Sequence, residues 1–333
     1  MRNLSIQGLR GYLMIWIVLF HYTTRYPILY PSVNMDMPIR FENGGEVGIV
    51  IFFIISGFFL AKGLLGLDSS HKKLLEFCMH KYLRLWFPYV VSIILIFICI
   101  NIFGLSGREC SLKTFLIDVF FIYHPMIGYV DLAHWFIAHL IFVQCFLGVI
   151  FYKVSKCNRV KLFRILIICF NLLIVILSIS QAPSHGILVM DTFIPFKSTL
   201  AVLVGIGIYL YRRDKVKIDL MLVSFTICSL SIWLSQVLIC VYSILFYFLL
   251  SSENKIVKSI FQNKTIIEIG NMSFYWYLIH QNIGYIFLNK INTLSGEATS
   301  ECWILIVCAV TFCMGYLVKF LETMIMNKIY GSK

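Results

Sequence analysis

From Gly8 to Leu321 the chain repeats one pattern, an apolar run about as long as a bilayer core is thick followed by a short polar break. The runs fall at residues 8–27, 46–66, 86–105, 135–152, 162–180, 193–211, 218–234, 236–251, 270–289 and 303–322. Backbone polar groups in hydrocarbon must be paired within their own segment, so such runs read as helices. The pattern predicts an all-α polytopic transmembrane helix bundle, with about ten spans, forming one integral membrane domain over residues 1–333. The first run lacks a small-residue cleavage site and carries charge inside it, so it reads as a retained span rather than a signal peptide.

Charge sets the topology. The segment 218–251 is too long for one ordinary span, and it is flanked at both ends by basic loops, Arg212, Arg213, Lys215 and Lys217 before it and Lys255, Lys258 and Lys264 after it. Cationic loops stay cytoplasmic, so an even number of crossings must lie between them and the segment splits near Ser235 and Gln236. The same parity treats Thr114–Tyr129, interrupted by His124, Pro125 and Gly128, as a short re-entrant or interfacial segment. A full crossing there would put Lys153, Lys156, Arg159, Lys161 and Arg164 outside. With it excluded, both termini are cytoplasmic in a multi-pass cell-membrane protein.

Composition agrees. The chain is 60% hydrophobic and 13% charged, with a mean hydropathy of +0.87, against about 25% charged residues in soluble domains. The net charge of +12 sits in short loops, where it records topology rather than nucleic-acid binding. Eleven cysteines are scattered without a C-x-x-C pair, so no metal site is expected, while a disulfide between the loop residues Cys110 and Cys302 stays open. A nucleotide-binding loop and a dinucleotide fingerprint are both missing.

Against this apolar background, ionisable residues inside spans stand out, because each is costly to insert. Arg10 and His21 are eleven residues apart on the first run. That is three helical turns, which puts both side chains on one face about 16 Å apart along the axis. Arg10 then lies near the inner surface and His21 beyond the midplane, along one polar path. Ser56 and His280 reach comparable depth, and Ser273, Tyr277, His280 and Gly284 recur at helical spacing as a stripe that faces other helices. For His280 the plain alternative is a buried histidine bonded across helices, for Ser56-Gly57 a close helix crossing, and for His134 and His139 interfacial anchoring beside Trp135. Lys81 and Arg84 precede the span that begins at Trp86 and can both mark topology and gather anionic phosphates.

Four blocks carry a resemblance. Leu9-Arg10-Gly11 through His21 is similar to an R-x10-H signature, Gly45 to Phe58 (GEVGIVIFFIISGF) to a glycine-rich start followed by Phe-Phe and Ser-Gly-Phe, Arg84 to Tyr89 to an arginine, aromatic and proline element, and Ser273 to Gln281 (SFYWYLIHQ) to a late Tyr-Leu-x-His block. In that order they resemble the acyltransferase 3 family of integral membrane O-acyltransferases, which includes O-antigen and other cell-surface glycan acetyltransferases. The resemblance implies a ten-helix core and transfer of an acyl group, acetyl by resemblance, from cytoplasmic acyl-CoA to a hydroxyl of a glycan or lipid-linked oligosaccharide. It implies donor phosphates held by Arg10, Lys81 and Arg84, with His21 as general base or transient acyl carrier. Ser56, Tyr277 and His280 would stabilise the oxyanion or orient the acceptor. Two departures stand out. Met79, His80 and Lys81 replace a fuller arginine cluster, and Leu140 stands where some members carry a carboxylate five residues after a tryptophan, leaving His139 or Gln144 as substitutes. The rival readings are a transporter or flippase of a lipid-linked sugar, and a member that binds donor without turnover.

Overall fold

A computed structural model describes residues 3–32, 39–120, 129–179, 195–295 and 300–330. Among these the regular structure is helical: α1 (Leu4–Phe20), a π-helical turn (His21–Arg25), α2 (Tyr26–Leu29), α3 (Gly44–Gly66), α4 (His71–Phe103), α5 (Leu112–Val119), α6 (Trp135–Tyr152), α7 (Arg159–Ile179), α8 (Phe196–Asp214), α9 (Lys217–Trp233), α10 (Leu238–Leu249), α11 (Lys255–Phe261), α12 (Lys264–Ser295) and α13 (Glu301–Tyr330), with short 3-10 turns at Leu132–His134 and Lys156–Asn158. Among the described residues, helix covers most of each of the ten predicted apolar segments. Five segments are long and apolar enough to cross a membrane: Leu4–Leu29, Gly44–Gly66, His71–Phe103, Leu132–Tyr152 and Glu301–Lys328.

The break expected near Ser235 is present. α9 ends at Trp233, Ser235 takes a left-handed φ of 53°, and Ser231 closes the turn by donating from Oγ to the Gln236 carbonyl at 2.8 Å. The helix that carries the third predicted span begins fifteen residues before that span, at His71. No glycine or proline interrupts His71–Phe87, and Lys73 pairs with Glu76 at 2.8 Å one turn on, so the polar stretch is itself helix-forming. Lys81 and Arg84 therefore stand on a helix rather than in a loop. Of the proposed re-entrant segment, residues 121–128 lie outside the described residues, as does the expected outer loop 181–192. Cys110 and Cys302 are both free thiols.

The chain packs as two compact units whose boundaries fall inside α3, α4 and α6 and between α10 and α11. The first comprises Met1–Gly48, Arg84–Ala138 and Ser252–Lys333. Its centre is the crossing of α1 and α12, where the backbones nearly touch. A Cβ on Gly11 would meet the Ile266 carbonyl oxygen at 2.4 Å, and one on Gly270 the Gln7 carbonyl oxygen at 1.9 Å. Small residues at these positions are what let two spans approach so closely. At the start of α3, Gly44 and Gly45 lie against Trp16 and Phe20 in the same way.

The second unit comprises Ile49–Leu83 and His139–Ser251. Here α3 and α8 cross at Gly57 and Gly205, where added Cβ atoms would lie 2.1 Å from the Val202 oxygen and 2.0 Å from the Ile54 oxygen. Arg159, wholly buried, donates to the carbonyls of Leu64 and Leu65 at 3.2 and 2.9 Å and so satisfies the last turn of α3. Arg164 pairs with buried Asp219 at 2.7 Å, tying α7 to α9.

The α1–α12 contact yields a direct test. Gly270→Ala forces a methyl into a backbone carbonyl that cannot rotate away, and overpacking of this kind costs about 1–3 kcal/mol. Its melting temperature in detergent should drop by several degrees, whereas Gly66→Ala, with open space around it, should melt with the wild type.

Candidate functional site

The site grows from the end of α1. Pro27 has no N–H to donate to the Thr23 carbonyl, and its ring crowds that oxygen. The chain answers by widening the preceding turn, in which the Tyr26 N–H bonds the His21 carbonyl five residues back. Such π turns recur at functional sites because they re-aim side chains without ending the helix. Thr23 steadies this one, donating from Oγ1 to the Leu19 carbonyl at 2.8 Å and accepting the Phe41 N–H at 3.0 Å.

His21, at the first position of the turn, faces α12. Its Nδ1 lies 3.2 Å from Tyr285 Oη and 3.2 Å from Gln281 Nε2. Its ring stands edge to face with that of His280, the centroids 4.9 Å apart. The two rings differ in access, since His280 is 0% exposed while His21 keeps part of its surface open. Gln281 is held by its other end, where Oε1 accepts the Ala133 N–H at 2.9 Å. Because a backbone N–H can only donate, that contact identifies the amide oxygen and leaves the NH2 group aimed at His21.

Around these rings the backbone of α12 is opened by side chains from two other segments. Tyr22 donates to the His280 carbonyl at 2.6 Å, its ring fitting where Gly284 has no side chain. His134 Nε2 bonds the Leu278 carbonyl at 2.9 Å. Asp131, 1% exposed, accepts the N–H groups of Ala133 at 2.9 Å and Asn282 at 3.0 Å. Asn282 in turn donates from Nδ2 to the Val130 carbonyl at 2.8 Å. The short segment before Trp135 is thus stitched to the middle of α12.

The candidate residues fall out as follows. Arg10 donates to Ser273 Oγ on α12 at 2.9 Å and to Gln7 Oε1 at 3.3 Å. It shares with His21 the α1 face turned toward α12, yet Leu13, Met14 and Ile17 between them are at most 1% exposed. Between the two, this face carries packed apolar side chains. Tyr277 donates its single proton to the Ala133 carbonyl, which makes it a tether for the 130–134 segment rather than a free donor. His280 donates from Nδ1 to the Tyr277 carbonyl at 2.7 Å. The stripe Ser273, Tyr277, His280, Gly284 is buried throughout, as a helix-facing surface requires. Arg84 is exposed on α4 and acts electrostatically on Tyr275, whose hydroxyl donates to Glu322 at 2.7 Å. Ser56 and Lys81 belong to the second unit, where Ser56 precedes the tight Gly57 crossing and Lys81 Nζ lies 5.4 Å from the Phe77 ring centre. His139, also in that unit, lies 3.3 Å from Ser198 Oγ.

Gln281, Tyr285 and Asp131 were not singled out in the sequence. Gln281 closes the SFYWYLIHQ block and Tyr285 lies five residues beyond His280; tertiary packing brings both onto one nitrogen of His21. Asp131 lies four residues before Trp135, whereas the carboxylate was sought five residues after it, at buried Leu140.

Residues 3–319 match the acyltransferase 3 family model, described as an acyltransferase domain. The chain belongs to this family. No curated protein and no solved structure matches it. Membership in the acyltransferase 3 family points to membrane acyltransferase activity. Among the described residues no cluster of histidine, cysteine and carboxylate groups is arranged to hold a metal ion.

One wall of this region has a pH signature. Asp118 on α5, outside the spans, accepts the Val130 N–H at 2.6 Å and is 1% exposed. Burial pushes its carboxyl up from 3.8 to about 6, against the opposing pull of that N–H. An acid whose folded value is raised stabilises the fold fully below about 3.8 and loses that contribution as pH rises through about 6. Asp118→Asn keeps an oxygen for Val130 without the titration. Its melting temperature relative to wild type should therefore climb between pH 4 and pH 7, and an offset independent of pH would refute the assignment.

Proposed function

We infer that this family member is a membrane O-acyltransferase that moves an acyl group, acetyl by resemblance, from cytoplasmic acyl-CoA to a hydroxyl of a cell-surface or lipid-linked glycan. Ten crossings of the cell membrane with both termini cytoplasmic accord with the cationic loops and with helix at every predicted segment. The observation that carries the reading is His21, an imidazole on a π turn, with Nδ1 bracketed by Gln281 and Tyr285.

In the reaction, His21 takes the proton of the glycan hydroxyl as its oxygen attacks the thioester carbonyl. The tetrahedral intermediate then collapses, the carbon–sulfur bond breaks, and the coenzyme A thiolate leaves and is reprotonated. Neutral imidazole suits this step near pH 7. Arg10, Lys81 and Arg84 supply cations for the phosphates of the donor.

The test uses purified protein in nanodiscs with labelled acyl-CoA and a glycan acceptor, reading coenzyme A release and acyl-glycan separately. His21→Ala should lose about 10²–10⁴ in kcat, the usual worth of a general base. Arg10→Ala should chiefly raise the KM for donor. Full turnover by His21→Ala removes the base, unchanged donor affinity in Arg10→Ala removes the phosphate site, and glycan movement without acyl incorporation in wild type would favour the flippase.

A further inference from the structure

The two imidazoles carry complementary hydrogen patterns. The Gln281 NH2 group, fixed by the Ala133 N–H at its other end, points at Nδ1 of His21, so Nδ1 accepts and the neutral ring holds its proton on Nε2. His280 is the reverse, since Nδ1–H is spent on the Tyr277 carbonyl at 2.7 Å and Nε2 carries a lone pair. That Nε2 is buried and, among the described residues, without a hydrogen-bond partner. An unsatisfied acceptor in the interior costs free energy that a donor would recover, and the neighbouring ring is His21, at a centroid distance of 4.9 Å.

We propose that His280 is the proton-accepting partner of His21, acting through it as a positioning residue, so that Tyr285, His21 and His280 form one relay. The proposal rests on the acyl-transfer reading and deepens it. As the acceptor oxygen attacks, its proton passes to His21 Nδ1, directly or by exchange through the Tyr285 hydroxyl 3.2 Å away. A small rotation of the His21 ring turns Nε2–H onto His280, whose Nε2 takes that proton. His21 ends neutral with its proton on Nδ1, and His280 becomes an imidazolium donating to the Tyr277 carbonyl and to His21. When the thiolate leaves, the proton returns by the same steps, so no other acid or base is consumed. The charge on His280 is set near the Asp131 carboxylate, which acts on that ring electrostatically. This gives buried Asp131 a function that no contact with substrate requires.

His280→Asn is the informative variant, because an amide can still donate to the Tyr277 carbonyl but has no nitrogen lone pair to protonate. Nitrogen-15 histidine spectra of the whole protein in nanodiscs, assigned with His21→Asn and His280→Asn, should show the resting proton on Nε2 of His21 and on Nδ1 of His280. Gln281→Glu, which turns the donor at His21 into an acceptor, should move the His21 proton to Nδ1. In turnover, His280→Asn should lose roughly 10²-fold in kcat with donor KM unchanged, and the acid limb of its kcat profile should move. The other charged or titratable groups acting on the pair are Arg25 and Arg108 on His21, and Asp131 and His134 on His280; they are unaltered in this variant. A resting proton on Nε2 of His280, or a folded His280→Asn protein with wild-type kcat and pH profile, overturns the relay. If the expected proton positions appear in wild-type protein that transfers no acyl group, the acyl-transfer reading fails and the relay falls with it. Active protein with the reverse positions leaves acyl transfer standing and the relay refuted.

Discussion

The near contact of backbone with backbone between α1 and α12 underlies everything else in the first unit. Gly11 and Gly270 hold no Cβ, and the carbonyls of Ile266 and Gln7 occupy the space a methyl would need. Between two spans in lipid, water release gives no preference for association, so van der Waals contact and hydrogen bonds must supply it. Close approach does both. It packs Leu9, Leu13, Met14 and Ile17 without exposure, and it brings Arg10 within 2.9 Å of Ser273 and His21 within 3.2 Å of Gln281 and Tyr285.

Once the helices are that close, polar groups on the shared face have nowhere to go but to each other. The middle of α12 shows how far this is carried, since the carbonyls of Leu278 and His280 and the N–H of Asn282 all bond side chains from other segments. Each bond pairs a polar side chain that would be costly to leave unpaired in a nonpolar interior. A few atoms are left over, and Nε2 of His280 is the one that borders the histidine at the centre of the site. In a region so thoroughly paired, a lone pair held open beside a second imidazole is where proton chemistry can begin.

Acidic help also comes from an unexpected direction. A carboxylate after Trp135 is missing, and the shortened arginine cluster on α4 has Arg84 within electrostatic reach of a tyrosine that hydrogen-bonds Glu322. Asp131, just ahead of Trp135, closes part of this gap by holding the segment 130–134 against α12 and acting on His280 from behind. Asp131 is thus buried, bonded to the middle of α12 and close enough to act on His280.

The apolar runs by themselves determined that the chain is helical and bilayer-sized, because run length and backbone pairing in hydrocarbon admit few other solutions. Charge parity located the break at Ser235, and three-turn spacing put Arg10 and His21 on one face of α1. The four motif blocks were enough to identify the family. Tertiary structure alone decided the rest. That α4 starts at His71 depends on polar residues which hydropathy scores as loop but which helix propensity favours. That Leu13, Met14 and Ile17 are buried depends on the helices packed around α1, with Gly48 of α3 lying against Ile17. The π turn ahead of Pro27 advances the register by one residue, and Gln281, Tyr285 and Asp131 reach the site from 260, 264 and 110 positions away in the chain. Periodicity reports which face of a helix a residue occupies, but contacts over such distances are chosen by packing and hydrogen-bond geometry, which no local pattern encodes.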